Sequence, residues 1–139
     1  MTRLMLDTCA VIELITCPRT KKLDFWDVLD APDTMPFASF ETARELVVLF
    51  NNKKLLSKHW KTASQMLKSI EQDYRIEFLP LRWDTALTYA SLQLNEAMDH
   101  HDPSDHIIIA HAITEHLTLL SSDHKFAYYR SQGLDLIEY

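Results

Sequence analysis

Glycine is almost missing: Gly133 is the only one in 139 residues. Loops that cradle phosphate need several glycines, because backbone N–H groups must approach the anion closely. P-loop kinases and dinucleotide-binding Rossmann domains are excluded on that count. Cysteine is nearly as scarce. Cys9 and Cys17 are too few for a disulfide framework and form no CxxC zinc pattern, so both are expected to be buried thiols. Positive charge is in deficit, with 14 Lys and Arg against 20 Asp and Glu, a net charge of −6. A protein that coats nucleic acid regardless of sequence is basic, so this chain is not one. No apolar run is long enough to span a membrane and the start of the chain lacks a signal-peptide pattern. The expectation is a cytoplasmic protein with no membrane partner.

What is there is ordinary globular material, 47% hydrophobic and 24% charged, of a length that favours a single domain over residues 1–139. Short apolar runs at Arg3–Leu6, Thr34–Ala38, Arg75–Leu79, Leu117–Leu120 and Leu134–Ile137 predict strands. Helical spacing predicts helices from Thr8 to about Ile15, over Lys21–Asp30 with Leu23, Phe25, Trp26 and Leu29 inward, and over Phe40–Phe50 behind a Ser39 cap. Further helices are expected from Ser57 to about Asp73 and from Arg82 to Met98, the latter burying Ala86, Leu87, Ala90, Leu94 and Ala97. Asp102 reads as the cap of another helix, with Pro103 at its first position, running to about His116, and Lys125–Arg130 as a short last helix. Strands alternating with helices predict a small, mostly parallel sheet covered on both faces.

Acids recur just past the strands. Asp7 ends the first and Asp123 follows Ser121-Ser122 after the fourth; Glu45 lies on the helix behind the second, and Asp105 in the first turn of the apolar helix that precedes the fourth. Carboxyl ends of strands in open α/β sheets are where ligands bind. Asp7, Asp102 and Asp105 can also do no more than cap helices. Like charges from four segments repel when gathered, and a divalent cation reverses that logic. The set suits a hard cation, Mg²⁺ or Mn²⁺, and such a site suits hydrolysis of a phosphodiester by water. Thr8, beside Asp7, can hydrogen-bond within it.

The segments Leu4-Met5-Leu6-Asp7-Thr8, Ser39-Phe40-Glu41-Thr42-Ala43-Arg44-Glu45-Leu46, Asp102-Pro103-Ser104-Asp105-His106-Ile107-Ile108-Ile109-Ala110-His111-Ala112 and Leu117-Thr118-Leu119-Leu120-Ser121-Ser122-Asp123 run through the chain in this order. With them the sequence resembles PIN-domain ribonucleases of the toxin type, the VapC family. The resemblance implies an α/β/α sandwich and Mg²⁺-dependent endoribonuclease activity, with Mn²⁺ as a substitute. It also implies homodimerisation and neutralisation by a small VapB-like antitoxin. By the same resemblance Asp7, Glu45, Asp105 and Asp123 match the metal-binding acids. Thr42 matches a small hydroxyl residue three before the glutamate, and Asp102 belongs to the motif while ordering the helix start. Arg44 stands where the family usually has an aromatic and His106 where it usually has an arginine, departures that bear on RNA specificity.

Two other readings use the same residues. The His101-Asp102 doublet, with His100, His106 and His111 nearby, suits a metal phosphohydrolase of the HD type, but that family is all-helical and His106 and His111 are five apart, so they diverge on a helix. A receiver-like or catalytically inactive PIN-like domain would keep its acids only as caps and bind a protein partner. A receiver also wants a lysine just after a late strand, which is missing from the expected place.

Overall fold

The computed structural model describes residues 1–55 and 59–139; the helix start expected at Ser57 lies outside them. Five strands, β1 (Thr2–Leu6), β2 (Thr34–Ser39), β3 (Glu77–Leu79), β4 (Thr118–Ser121) and β5 (Asp135–Glu138), form one sheet in the order β3-β2-β1-β4-β5. Every pairing is parallel, with Leu6 level with Ala38 on one side and Leu120 on the other. The helices are α1 (Thr8–Thr16), α2 (Leu23–Asp30), α3 (Phe40–Asn51), α4 (Ala63–Tyr74), α5 (Trp83–Ser91) and α6 (Pro103–Thr114), with 3₁₀ segments at Glu96–Met98 and His124–Gln132.

Alternation along β1 sorts the core into two layers. Leu4 and Leu6 face a cluster with Val11, Phe25, Trp26, Leu46, Met66 and Ile70 from α1 to α4. Met5 faces the other way, onto Ile108, Ile109 and Ala112 of α6 and Phe126 and Tyr129 of the second 3₁₀ segment. Both sheet faces are covered, as expected for an all-parallel sheet. Burying each large apolar side chain contributes about 1.5–3 kcal/mol, so α6, which sinks three isoleucine and alanine positions in succession at Ile108–Ala110, is firmly held. Five parallel strands remove the all-helical HD-type reading.

Five local expectations need correction. The helix expected over Arg82–Met98 stops at Ser91, where Leu92 turns extended (ψ 135°), and Asn95 caps a separate 3₁₀ turn by accepting from Met98 N–H. The face assigned to the core is turned outward: Ala86, Leu87 and Ala90 are exposed. The reason is that α5 lies in the layer outside α6, meeting it through Thr88, whose hydroxyl hydrogen-bonds Thr114 at 2.8 Å, and buried Thr85. Leu23 is exposed because α2 begins only there, after Lys22 in the left-handed region. The helix expected to reach back to Ser57 is capped at Thr62, which accepts from Gln65 N–H while the Gln65 amide accepts from Lys61 N–H, a reciprocal arrangement close to a capping box. Cys9 is exposed and Cys17 only partly buried, since the second position of α1 looks out of the sheet edge.

Candidate active site

The chain leaves β1 in one direction across the sheet, toward β2 and β3, and β4 and β5 lie on the other side. The crevice between the carboxyl ends of β1 and β4 is therefore a topological switch point, where parallel sheets bind ligands. A cavity of about 420 Å³ opens there, lined by Asp7, Thr8, Cys9, Ile12, Glu45, Leu49, Asp99, His100, His101, Asp102, Asp105, Ser122, Asp123, Lys125 and Phe126. The acids singled out in the sequence, Asp7, Glu45, Asp105 and Asp123, all reach this one cavity, as do Thr8 and Asp102.

Each acid has a local reason to be there. Asp7 follows β1 directly and caps α1, its Oδ1 accepting from Ala10 N–H at 2.8 Å. The Ser121 hydroxyl at the end of β4 hydrogen-bonds the Asp7 carboxylate and accepts from Asp123 N–H, tying the two strand ends together. Asp123 caps the second 3₁₀ segment through Lys125 N–H and lies 3.2 Å from Lys125 Nζ. Asp102 caps α6 through Ser104 N–H. Glu45, in the second turn of α3, accepts a hydrogen bond from Thr8, whose hydroxyl is 3.2 Å from that of buried Thr42. Thr42 thus touches the site through Thr8 and stays out of the cavity lining.

Glu41 and Glu45 sit one turn apart, yet only one reaches the cavity. Glu41 is 4% exposed and takes both Arg44 Nε (2.9 Å) and the Ser104 hydroxyl (2.8 Å). Burial pushes Glu41 up, but these two partners together hold it below the usual carboxylate range. Arg44 therefore serves the joint between α3 and α6. His106 is 3% exposed, with its ring edge-on to His100 at 4.6 Å, so this departure is turned into the protein, whereas the Arg44 side chain stays half-exposed beside Glu41. His111 hydrogen-bonds Ser39 at 2.8 Å in the core, away from His106, and the histidines do not gather around an ion.

The electrostatics are those of a charge-stressed pocket. Burial, then neighbouring Asp105 and Glu13, push Asp7 up to about 7 against the lowering effect of Ser121 and Ala10. Burial, then Asp102, Asp123 and Glu45, push Asp105 up to about 7. Asp105 sits in the first turn of α6, where the helix end favours a carboxylate by roughly 0.3–1 kcal/mol; burial and like charge outweigh that. The Cys9 thiol on the rim rises to about 11, from desolvation and the same acids, and is a poor nucleophile.

Among the described residues, no three acidic, imidazole or thiol groups stand close enough together to hold one ion simultaneously. The reason is visible: Glu45 is turned to Thr8, Asp105 to His100, and Asp123 to Lys125. Mg²⁺ keeps several of its waters and needs only one or two carboxylates, so the donor set still fits such an ion. The four candidate acids offer only hard oxygens, and the crowding that pushes two of them up to about 7 is what a small divalent cation relieves. Two cavity roles were not read from the sequence: His100 as a partner of Asp105, and Lys125 as the sole lysine or arginine of the lining among the described residues. Lys125, two residues past Asp123, could have been found from that spacing; His100 could not, since the Tyr129 hydroxyl on its other nitrogen comes from 29 residues away.

A family model for the PIN domain matches residues 4–131. Among solved structures, the chain is similar to VapBC2 from Rickettsia felis bound to a promoter DNA fragment, at 21% identity and a TM-score of 0.74 over 99% of this chain and 98% of that one. It is similar to VapBC-5 of Mycobacterium tuberculosis at 24% identity and a TM-score of 0.67, over the full length of both chains. FitAcB from Neisseria gonorrhoeae gives 20% and 0.63, over 97% and 96%. These likenesses show a shared fold. No curated protein matches the sequence.

Proposed function

The chain belongs to the PIN-domain family, and we propose that it is a divalent-cation-dependent endoribonuclease, the toxin of a VapC-type toxin–antitoxin pair. The observation that carries this reading is the arrival of Asp7, Glu45, Asp105 and Asp123, from four separate segments, at one cavity on the switch point. Asp7, Glu45 and Asp105 would hold Mg²⁺, with Mn²⁺ as a substitute, and Asp123 would serve an outer position. When bound, the cation supplies a nucleophilic water near neutral pH and charge stabilisation at the phosphoryl group. Asp7 is held in place by Ala10 N–H and Ser121, and Glu45 by Thr8, so both face the cavity without a search among rotamers. Lys125, partly exposed beside Asp123, lies where it can meet a phosphate oxygen. Leu49, Ile12 and Phe126 give the floor an apolar part that strengthens these charges.

The structural relatives are solved as VapBC and FitAB complexes, which supports an antitoxin as partner here. A basic side chain from such a partner, an arginine for preference, suits a cavity lined by acids. The uncovered face of α5, with Trp83 75% and Leu87 57% exposed, supports a homodimer. No helix among the described residues is long and apolar enough to cross a membrane, and the cytoplasm is the proposed location. The test is to express the chain in a bacterial host with and without its neighbouring reading frame and to map RNA ends. New ends at recurrent positions should appear with the chain alone, and vanish with the neighbour present or with Glu45→Gln. An unchanged set of ends would refute the reading and leave a catalytically inactive, protein-binding PIN domain.

A further inference from the structure

His100 arrives on a loop, is 1% exposed, and touches the candidate site from behind. Its Nε2 is 2.9 Å from Asp105 Oδ2 and its Nδ1 is 3.0 Å from the Tyr129 hydroxyl. That hydroxyl in turn accepts from Asn95 N–H at 3.1 Å. The ring plane is fixed as well: Phe126 stacks on it at 5.5 Å and 30°, and His106 meets it edge-on at 4.6 Å. With Asp105 ionised, as a cation ligand must be, its oxygen can only accept, and that fixes the direction of every bond behind it. The Tyr129 oxygen accepts from Asn95 and has one hydrogen to give, which goes to Nδ1. The imidazole hydrogen then belongs to Nε2 and points at the carboxylate. Imidazole donors in the other tautomer would leave an ionised Asp105 oxygen facing a bare lone pair.

We propose that His100 is a positioning residue for Asp105: the buried chain Asn95 N–H, Tyr129 hydroxyl, His100 imidazole engages Oδ2 and leaves Oδ1 for a cation. This rests on the reading of Asp105 as a cation ligand. Holding one oxygen favours binding through the other alone, the mode of a small octahedral ion, over the two-oxygen grip that larger cations accept. Partners of this kind behind a ligand contribute about 10–100-fold in metal affinity. No spacing rule in the sequence carries it, because Asn95, His100, Asp105 and Tyr129 come together only through the fold.

The test uses the full chain and Mn²⁺ as the probe, with affinity read by calorimetry. His100→Leu is expected to weaken Mn²⁺ binding at least tenfold. His100→Gln, which restores an N–H at the position of Nε2, is expected to recover most of it, and Tyr129→Phe to fall between. In the metal-free wild type, long-range ¹H–¹⁵N correlation spectra are expected to show His100 protonated at Nε2, with mixed tautomers in Tyr129→Phe. Wild-type binding that His100→Leu leaves unchanged, or an Nδ1–H tautomer, overturns this inference alone. A wild type that binds no Mn²⁺ overturns the cation reading and this inference with it. Should His100→Leu not fold by circular dichroism, the His100→Gln and Tyr129→Phe affinities and the wild-type tautomer decide.

Discussion

At the scale of single residues, the account turns on carboxylates held where they resist ionising. Asp7 and Asp105 have an ordinary value of 3.8 and stand at about 7 in the folded chain. A raised folded value means stability is fully present below about pH 4 and is lost as pH rises to 7 and beyond. Between pH 4 and pH 8 the metal-free protein should therefore lose the part of its stability that these two carboxyls contribute, read as the difference between wild type and a variant lacking one of them. Asp7→Asn, which keeps the cap on α1 because asparagine caps as well as aspartate, should gain on the order of a few kcal/mol at pH 8 and nothing at pH 4. Differential scanning calorimetry at the two pH values checks it, and equal gains at both would contradict the cause assigned. The same substitution should abolish RNA cleavage, as should Glu45→Gln, with Asp123→Asn milder. The positions of Asp7, Asp105 and Asp123 were legible in the sequence because each follows a strand or opens a helix. The choice of Glu45 over Glu41 came from the family resemblance and not from spacing: its physical reason is the capture of Glu41 by Arg44 and by Ser104, 63 residues away.

At the scale of elements, scarcity of glycine leaves a mark. Lys22, Asp33, Lys53, Arg75, Asp99 and His116 all adopt positive φ, the left-handed region that Gly133 occupies without strain. Arg75 is exposed at the end of α4, with φ 55°. Arg75→Gly should stabilise the chain by about 1 kcal/mol, a rise of a few degrees in melting temperature; a fall would contradict the strain argument. Helix α5 is where reading by periodicity fails. Its apolar spacing is real, but the face it marks, around Leu87, is turned away from this chain's core. Spacing identifies a face that wants cover without saying whether the cover is this chain or another copy. Leu87→Glu should therefore leave melting temperature nearly unchanged and shift the mass measured by light scattering from dimer to monomer. Loss of folding would mean that the face packs within the chain after all. The cap at Thr62 was missed in favour of a start at Ser57, although Thr62 and Gln65 have the spacing of a capping box.

For the whole molecule, alternation of strand and helix was enough to specify a parallel α/β sheet, because each apolar strand must be covered on both faces. The order β3-β2-β1-β4-β5 was not in the pattern, and it is this order that makes a crevice between β1 and β4. A cation binding there should raise melting temperature at pH 8, by about 2.7 kcal/mol of stability at a hundredfold excess over its dissociation constant. At pH 4, with the carboxylates protonated, the gain should disappear. The most direct test of the account is cleavage of an RNA recovered from the end mapping by purified chain, with Mg²⁺, with EDTA, and with Asp105→Asn. The account predicts cleavage in the first case alone, with product ends free of 2′,3′-cyclic phosphate, since water and not the 2′-hydroxyl attacks. Cleavage that survives EDTA or Asp105→Asn, or no cleavage with Mg²⁺, would contradict it.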